Sequence, residues 1–204
     1  LFSSEGKFDF DEYFTKNKTV ILINNGIHAG EPDGIDATMM LMRDLAMGKI
    51  KTAKNTLIAA IPVYSVGGML NRNSHSRANQ NGPEEYGFRG NGRNYDLNRD
   101  FIKSDTKNSR NFQKLFTELN PDIFLDNHVS NGADYQYTFT CIATQHERLG
   151  NKLGNYFINE LYPSVVKDMN KKKIDVVPYV NVHSTNPDKG FEKFTDTPRN
   201  ATDY

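Results

Sequence analysis

The sequence has few of the bulk features that assign a function. Its 204 residues carry 25 basic and 25 acidic side chains, so no net field points to nucleic acid or to a membrane surface. Any charge-driven function must be local. The longest basic cluster, Lys171-Lys172-Lys173, follows a helix-like segment, where cations complement the helix dipole. The single cysteine, Cys141, excludes an internal disulfide and leaves the redox compartment open. No run approaches the roughly 18 consecutive apolar residues of a membrane helix. There is no internal repeat and no linker, and the length suits one domain, 1–204, with a substantial core. The sequence opens on Leu1 and closes on ATDY without a finishing element, so a domain incomplete at both ends is expected, with no signal peptide in this stretch.

Apolar patterning supplies the elements. Thr19–Asn24 (TVILIN) is a continuous apolar run bounded by polar residues, consistent with a buried strand. Pro32 sits where a first helical turn could start, residues 35–47 carry apolar side chains at helical spacing, and Gly48 ends them. Residues 56–63 (TLIAAIPV) and 122–126 (DIFLD) are further strand candidates. Between them, 105–119 places Phe112, Leu115, Phe116 and Leu119 on one helical face. Residues 135–144 alternate like a strand, 148–169 look helical with Pro163 as an expected break or kink, and 174–180 reads as a last short strand. Strands alternating with helices predict an α/β domain with a largely parallel or mixed sheet.

Residues 64–100 depart from this regularity. They are rich in Gly, Asn, Arg and Ser, show little apolar periodicity, and span far more than an ordinary connection. The arginines there (Arg72, Arg77, Arg89, Arg93, Arg99) are suited to binding carboxylates through rigid guanidinium forks. A solvated loop is the alternative.

The stretch ILINNGIHAGEPDG, residues 21–34, joins the first apolar run to His28 and Glu31, three residues apart. A catalytic zinc takes three protein ligands from His and Asp/Glu plus water. A His and a Glu at the carboxyl edge of a strand lie where open α/β sheets bind ligands, and Gly26 and Gly30 permit a sharp backbone path. His128 stands in the same relation to its own strand in DIFLDNHVSNGADYQY, whereas His75, His146 and His183 lack this placement and read as surface or structural. In RNYDLNRDF, residues 93–101, Asn98 and Arg99 could present an amide and a guanidinium to one substrate carboxylate. Asp96 could accept a hydrogen bond from the non-ligating nitrogen of a zinc histidine, and a polar turn before Phe101 is the alternative.

With HAGE at 28–31, DLNRDF at 96–101 and His128 after DIFLDN, the chain from about residue 19 onward resembles the zinc carboxypeptidase family, the carboxypeptidase A-like metallopeptidases. The resemblance implies a three-layer α/β/α sandwich around a mixed sheet and one Zn2+ held by His28, Glu31 and His128. It implies that Asp96 orients His28 and that Asn98 and Arg99 hold the free carboxylate of a peptide substrate. Arg89, nine residues before Asn98 as in many relatives, would polarise the scissile carbonyl, with Arg77 and Arg72 weaker claimants. No nucleic acid or membrane partner is implied, and the family habit is periplasmic or secreted.

The sequence departs from that pattern twice. Val129 follows the third histidine where many relatives have Ser, and Ser130 replaces an aromatic, which alters the cleft. The family's glutamate general base lies on a late strand. Glu147 and Glu160 fall too early and Glu192 lies in a loop-like stretch, so the base and the substrate-covering tyrosine are expected beyond Tyr204, and this stretch by itself is expected to be inactive. Two alternatives share the zinc site: an amidohydrolase of N-acyl amino acids, of the aspartoacylase or succinylglutamate desuccinylase kind, and a zinc-bearing peptide-binding module without turnover.

Overall fold

The computed structural model describes residues 1–4, 18–77, 80, 82–130, 135–182 and 187–192. His183 and Tyr204 lie outside them. The chain divides into two compact units, Leu1–Ser130 and Asn131–Tyr204.

The first unit is built on a four-stranded mixed sheet in the order β1-β3-β2-β4. Its strands are β1 (Phe2–Ser3), β2 (Thr19–Asn24), β3 (Thr56–Ile61) and β4 (Ile123–Asp126). β2 runs parallel to both β3 and β4, and β1 pairs antiparallel with β3. The β-branched, near-continuous apolar composition of β2 and β3 suits strands flanked on both sides, and Leu22 and Leu57 are fully buried.

Helix α1 (Asp33–Ala46) follows β2. Pro32 precedes it, Asp33 and Asp36 lie at its positive end, and Arg43 lies in its last turn, all favourable to the helix dipole. Its Leu45 joins Ile23 and Ile58 in a buried cluster, with Ile21, Leu41, Met42 and Ala60 packed around them. Helix α2 (Val66–Leu70) is a single short turn, and α3 (Lys107–Leu119) returns the chain to β4. Thr106 caps α3 by accepting from the Ser109 amide, and Asn120 ends it in the left-handed conformation. Phe112 and Phe116 of α3 meet Phe124 of β4 with ring centroids 5.6 and 5.7 Å apart. Such pairs add about 0.5–1.5 kcal/mol each beyond their burial.

Residues 64–100 are ordered without being regular where described. Tyr64 and Phe101, just inside and just beyond the ends of the segment, both meet Phe112 at 5.5 Å. Asn73 and Tyr86 exchange two backbone hydrogen bonds, the Phe88 amide donates to the Gly68 carbonyl, and a 3-10 turn (Leu97–Arg99) closes the segment. Backbone-to-backbone packing through glycines replaces the apolar periodicity that the sequence lacks there.

In the second unit β5 (Phe139–Cys141) pairs parallel with β6 (Val176–Pro178), and β7 (Asn181–Val182) pairs antiparallel with β8 (Phe191–Glu192), which puts Glu192 on a short strand and not in the loop expected from the sequence. The strands are shorter than the alternating patterns at 135–144 and 174–180 suggest. The helical stretch divides into α4 (Gly150–Tyr156), one π turn (Phe157–Leu161) and α5 (Tyr162–Lys171). Pro163 lacks an amide hydrogen and crowds the preceding turn. The widened turn before it takes up that defect without ending the helix.

Candidate metal centre

The parallel trio β3-β2-β4 decides where a site can form. From β2 the chain passes through α1 to β3 on one flank, while β4 lies on the other flank. A crevice outside the carboxyl ends of β2 and β4, where strand order reverses, is the usual ligand position in open α/β sheets. His28 follows β2 there and His128 follows β4.

The turn after β2 depends on two glycines. Gly26 has φ +62°, in the left-handed region. A Cβ on Gly30 would fall 2.9 Å from Arg77 Cγ and collide with the carbonyl oxygen of Gly87, so only glycine lets the long segment close over the turn. The Glu31 amide donates to the His28 carbonyl at 3.0 Å, which folds the two side chains toward one point.

Glu31 is the centre of the cluster. Its Oε1 contacts His28 Nδ1 at 2.9 Å and accepts from an Arg77 guanidinium nitrogen at 2.9 Å. Its Oε2 accepts from His128 Nδ1 at 2.9 Å and from the Val129 amide at 3.3 Å. His28 and Glu31 are each 4% exposed, while the His128 side chain is 29% exposed. One ligand atom from each of the three lies within 4.8 Å of the others, so the group could hold a metal ion. Two imidazoles and one carboxylate form a donor set suited to a transition metal with an open position.

The outer nitrogens are also engaged. His28 Nε2 lies 3.0 Å from Asp96 Oδ1, and His128 Nε2 lies 2.8 Å from Asp126 Oδ2. Carboxylates behind metal-binding imidazoles fix the ring orientation and raise ligand basicity. Asp96 heads the 3-10 turn and accepts from the Asn98 amide at 3.0 Å. Arg89 clamps the other Asp96 oxygen through Nε at 3.1 Å and a terminal nitrogen at 2.8 Å.

Charge states follow from these contacts. Burial pushes the Glu31 carboxyl up, but His128 and His28 outweigh it and hold the group well below the usual carboxylate range. Asp96 is likewise raised by burial and then brought far down by His28 and Arg89. Burial lowers the His128 ring, yet Asp126 and Glu31 push it up to about 10.

The remaining residues singled out in the sequence are placed as follows. Asn98 has a buried Oδ1 without a partner among the described residues, and Arg99 is exposed, with a terminal nitrogen donating to the Asn98 carbonyl at 2.8 Å. Arg89 sits on Asp96, whereas Arg77 is the arginine on Glu31, and its buried Nε lacks a partner among the described residues. His75 is exposed. Asp126 did not stand out in the sequence, where it reads as the last residue of a strand. The signal available was its spacing, since residues two apart at a strand end project to the same side.

No protein-family model, curated protein or solved structure matches the chain.

Proposed function

We propose that the Leu1–Ser130 unit carries a zinc centre of a metallocarboxypeptidase, a hydrolase that removes the C-terminal residue of peptides. One observation carries this reading: both imidazoles turn Nδ1 toward the single buried carboxylate of Glu31 while their outer nitrogens rest on Asp96 and Asp126. His28, Glu31 and His128 would hold the ion. Zinc bound there would supply Lewis-acid polarisation of a carbonyl and acidify water at neutral pH.

The chain's own residues take the remaining tasks. Asp96 and Asp126 hold the rings. Asn98 and Arg99 bind the substrate carboxylate, which confines the enzyme to chain ends; both belong to the 3-10 turn that Asp96 heads, so clamp and ring support share one rigid piece. Arg89, to which the resemblance assigns the carbonyl, is occupied with Asp96, and Arg77 lies closer to the cluster with a nitrogen to spare. We therefore give the developing oxyanion to Arg77 and the bracing of Asp96 to Arg89. In the sheet register Ile21 and Ile23 face the α1 cluster while Leu22 pairs with Phe124, which packs on α3. That alternation supports a three-layer α/β/α sandwich for this unit.

The test is elemental analysis of the protein expressed from its full open reading frame, followed by hydrolysis of three substrate sets: peptides with a free C-terminal carboxylate, the same peptides amidated, and N-acyl amino acids. One zinc per chain and cleavage of the first set alone is the expected result. Cleavage of N-acyl amino acids alone would make it a small-molecule amidohydrolase. Carboxylate-dependent peptide binding without cleavage would make it a binding module.

A further inference from the structure

Resting on that metal reading, we propose that Asp126 and Asn24 form a positioning pair that sets which nitrogen of His128 faces the ion. The two residues are cross-strand partners in the β2–β4 register. Asn24 is 0% exposed, and its Nδ2 donates to Asp126 Oδ1 at 2.7 Å. The other oxygen of Asp126 receives His128 Nε2 at 2.8 Å. The backbone between Asp126 and His128 is fixed as well: the Asn127 amide donates to the Asn24 carbonyl at 2.9 Å, and the Asn127 side chain donates to Asn25 Oδ1 at 2.8 Å.

An imidazole that ligates through Nδ1 must carry its proton on Nε2, and that N–H requires an acceptor. A carboxylate is an acceptor on both oxygens, so Asp126 can receive Asn24 and His128 together. An amide in its place has one oxygen. Turned toward Asn24, it would aim its NH2 at His128 Nε2 and drive the ring proton onto Nδ1, the atom that faces Glu31. Turned toward His128, it would set an N–H against the buried Nδ2 of Asn24, which would have to turn its own amide about and leave Nδ2 where Oδ1 now lies, without a partner among the described residues. His128 is thus held by Asp126 as His28 is held by Asp96, with the difference that Asp126 is anchored by a buried amide and Asp96 by an arginine and a backbone N–H.

The experiment uses Co2+ and Zn2+ as probes on wild type, Asp126→Asn and the double variant Asn24→Asp/Asp126→Asn, with affinity from chelator competition and the cobalt absorption spectrum as signature. Asp126→Asn is expected to bind about 10–100-fold more weakly, with an altered cobalt spectrum. The double variant is expected to recover most of that loss, because a carboxylate at 24 accepts the new amide N–H and lets its oxygen turn to His128. A merely structural role for Asp126 would not be rescued in this way. Long-range proton–nitrogen NMR of metal-loaded wild type provides a measurement that needs no variant: the His128 proton is expected on Nε2. A proton on Nδ1, folded Asp126→Asn binding within twofold of wild type, or a double variant as weak as the single one would each overturn the pair. Wild type that takes up neither metal would overturn the metal reading itself, whereas wild-type binding with an indifferent Asp126→Asn removes only the positioning role.

Discussion

His28 and His128 stand 5.2 Å apart, ring to ring, and each turns Nδ1 to a different oxygen of the same carboxylate. They come from separate strand ends, a hundred residues apart in the chain, and neither alone distinguishes itself from an ordinary loop histidine. Their shared partner gives the pair its meaning.

His128→Ala should abolish stoichiometric zinc after gel filtration, a larger effect than the roughly 10–100-fold loss from removing an outer partner. His75→Ala, at an exposed position, should leave zinc content unchanged. Zinc retained at one per chain in His128→Ala would remove this residue from the ligand set.

Metal uptake should release protons. The His128 ring is pushed up to about 10 without metal, so near pH 7 it is charged, and a metal must displace a proton to use it. Apparent affinity should therefore rise with pH up to that value and fall on acidification. Calorimetry in buffers of different ionisation enthalpy measures the number released; a count of zero at pH 7 would contradict this.

Arg99→Ala should weaken binding of free-carboxylate peptides far more than of their amidated forms, because a charge-assisted pair is lost only in the former. Competition binding with both ligand sets checks it. Equal losses would place the carboxylate elsewhere.

Asp100 predicts a pH-dependent stability. Burial raises its carboxyl, but Thr106, Ser109 and the amides of Asp105 and Thr106 bring it below the usual value. A folded-state pKa below the unfolded value near 3.9 stabilises the protein above that pH and loses the contribution as pH falls through the folded value. Asp100→Asn should cost about 1.5–3 kcal/mol at pH 7, the scale of a charged hydrogen bond. In urea melts the gap to wild type should close below about pH 4. A gap constant from pH 7 to pH 3 would show that the charge is irrelevant.

What the sequence made legible was whatever depends on local periodicity. β2 occupies the six residues of TVILIN, and the helices after it and before β4 begin and end near their capping residues. The placement of His28 and His128 followed from the same reasoning, because each sits just past an apolar run. Contacts that arise only when strands pair were not legible. Asn24 and Asp126 meet because β2 and β4 are neighbours in register, and nothing in either run announces the other. Arg77 reaches Glu31 through a segment held by glycine contacts and isolated backbone hydrogen bonds, which have no period to detect. Pro163 was visible as a disturbance, but whether it breaks a helix or widens one turn depends on packing that the residue alone does not encode.

Glu31 also acts as a knot. Through one side chain it ties the turn after β2 to Arg77 in the long segment and to the His128 ring and the Val129 amide after β4. Three distant stretches are therefore drawn together by one carboxylate, and its bonds to Arg77 and to the Val129 amide use no ring nitrogen that an ion would claim. Folding itself meets the conformational entropy of assembling the ligands, and an arriving metal has little left to organise. A centre of this kind differs from a zinc finger, in which the metal drives folding: chelation should empty it without unfolding the unit around it.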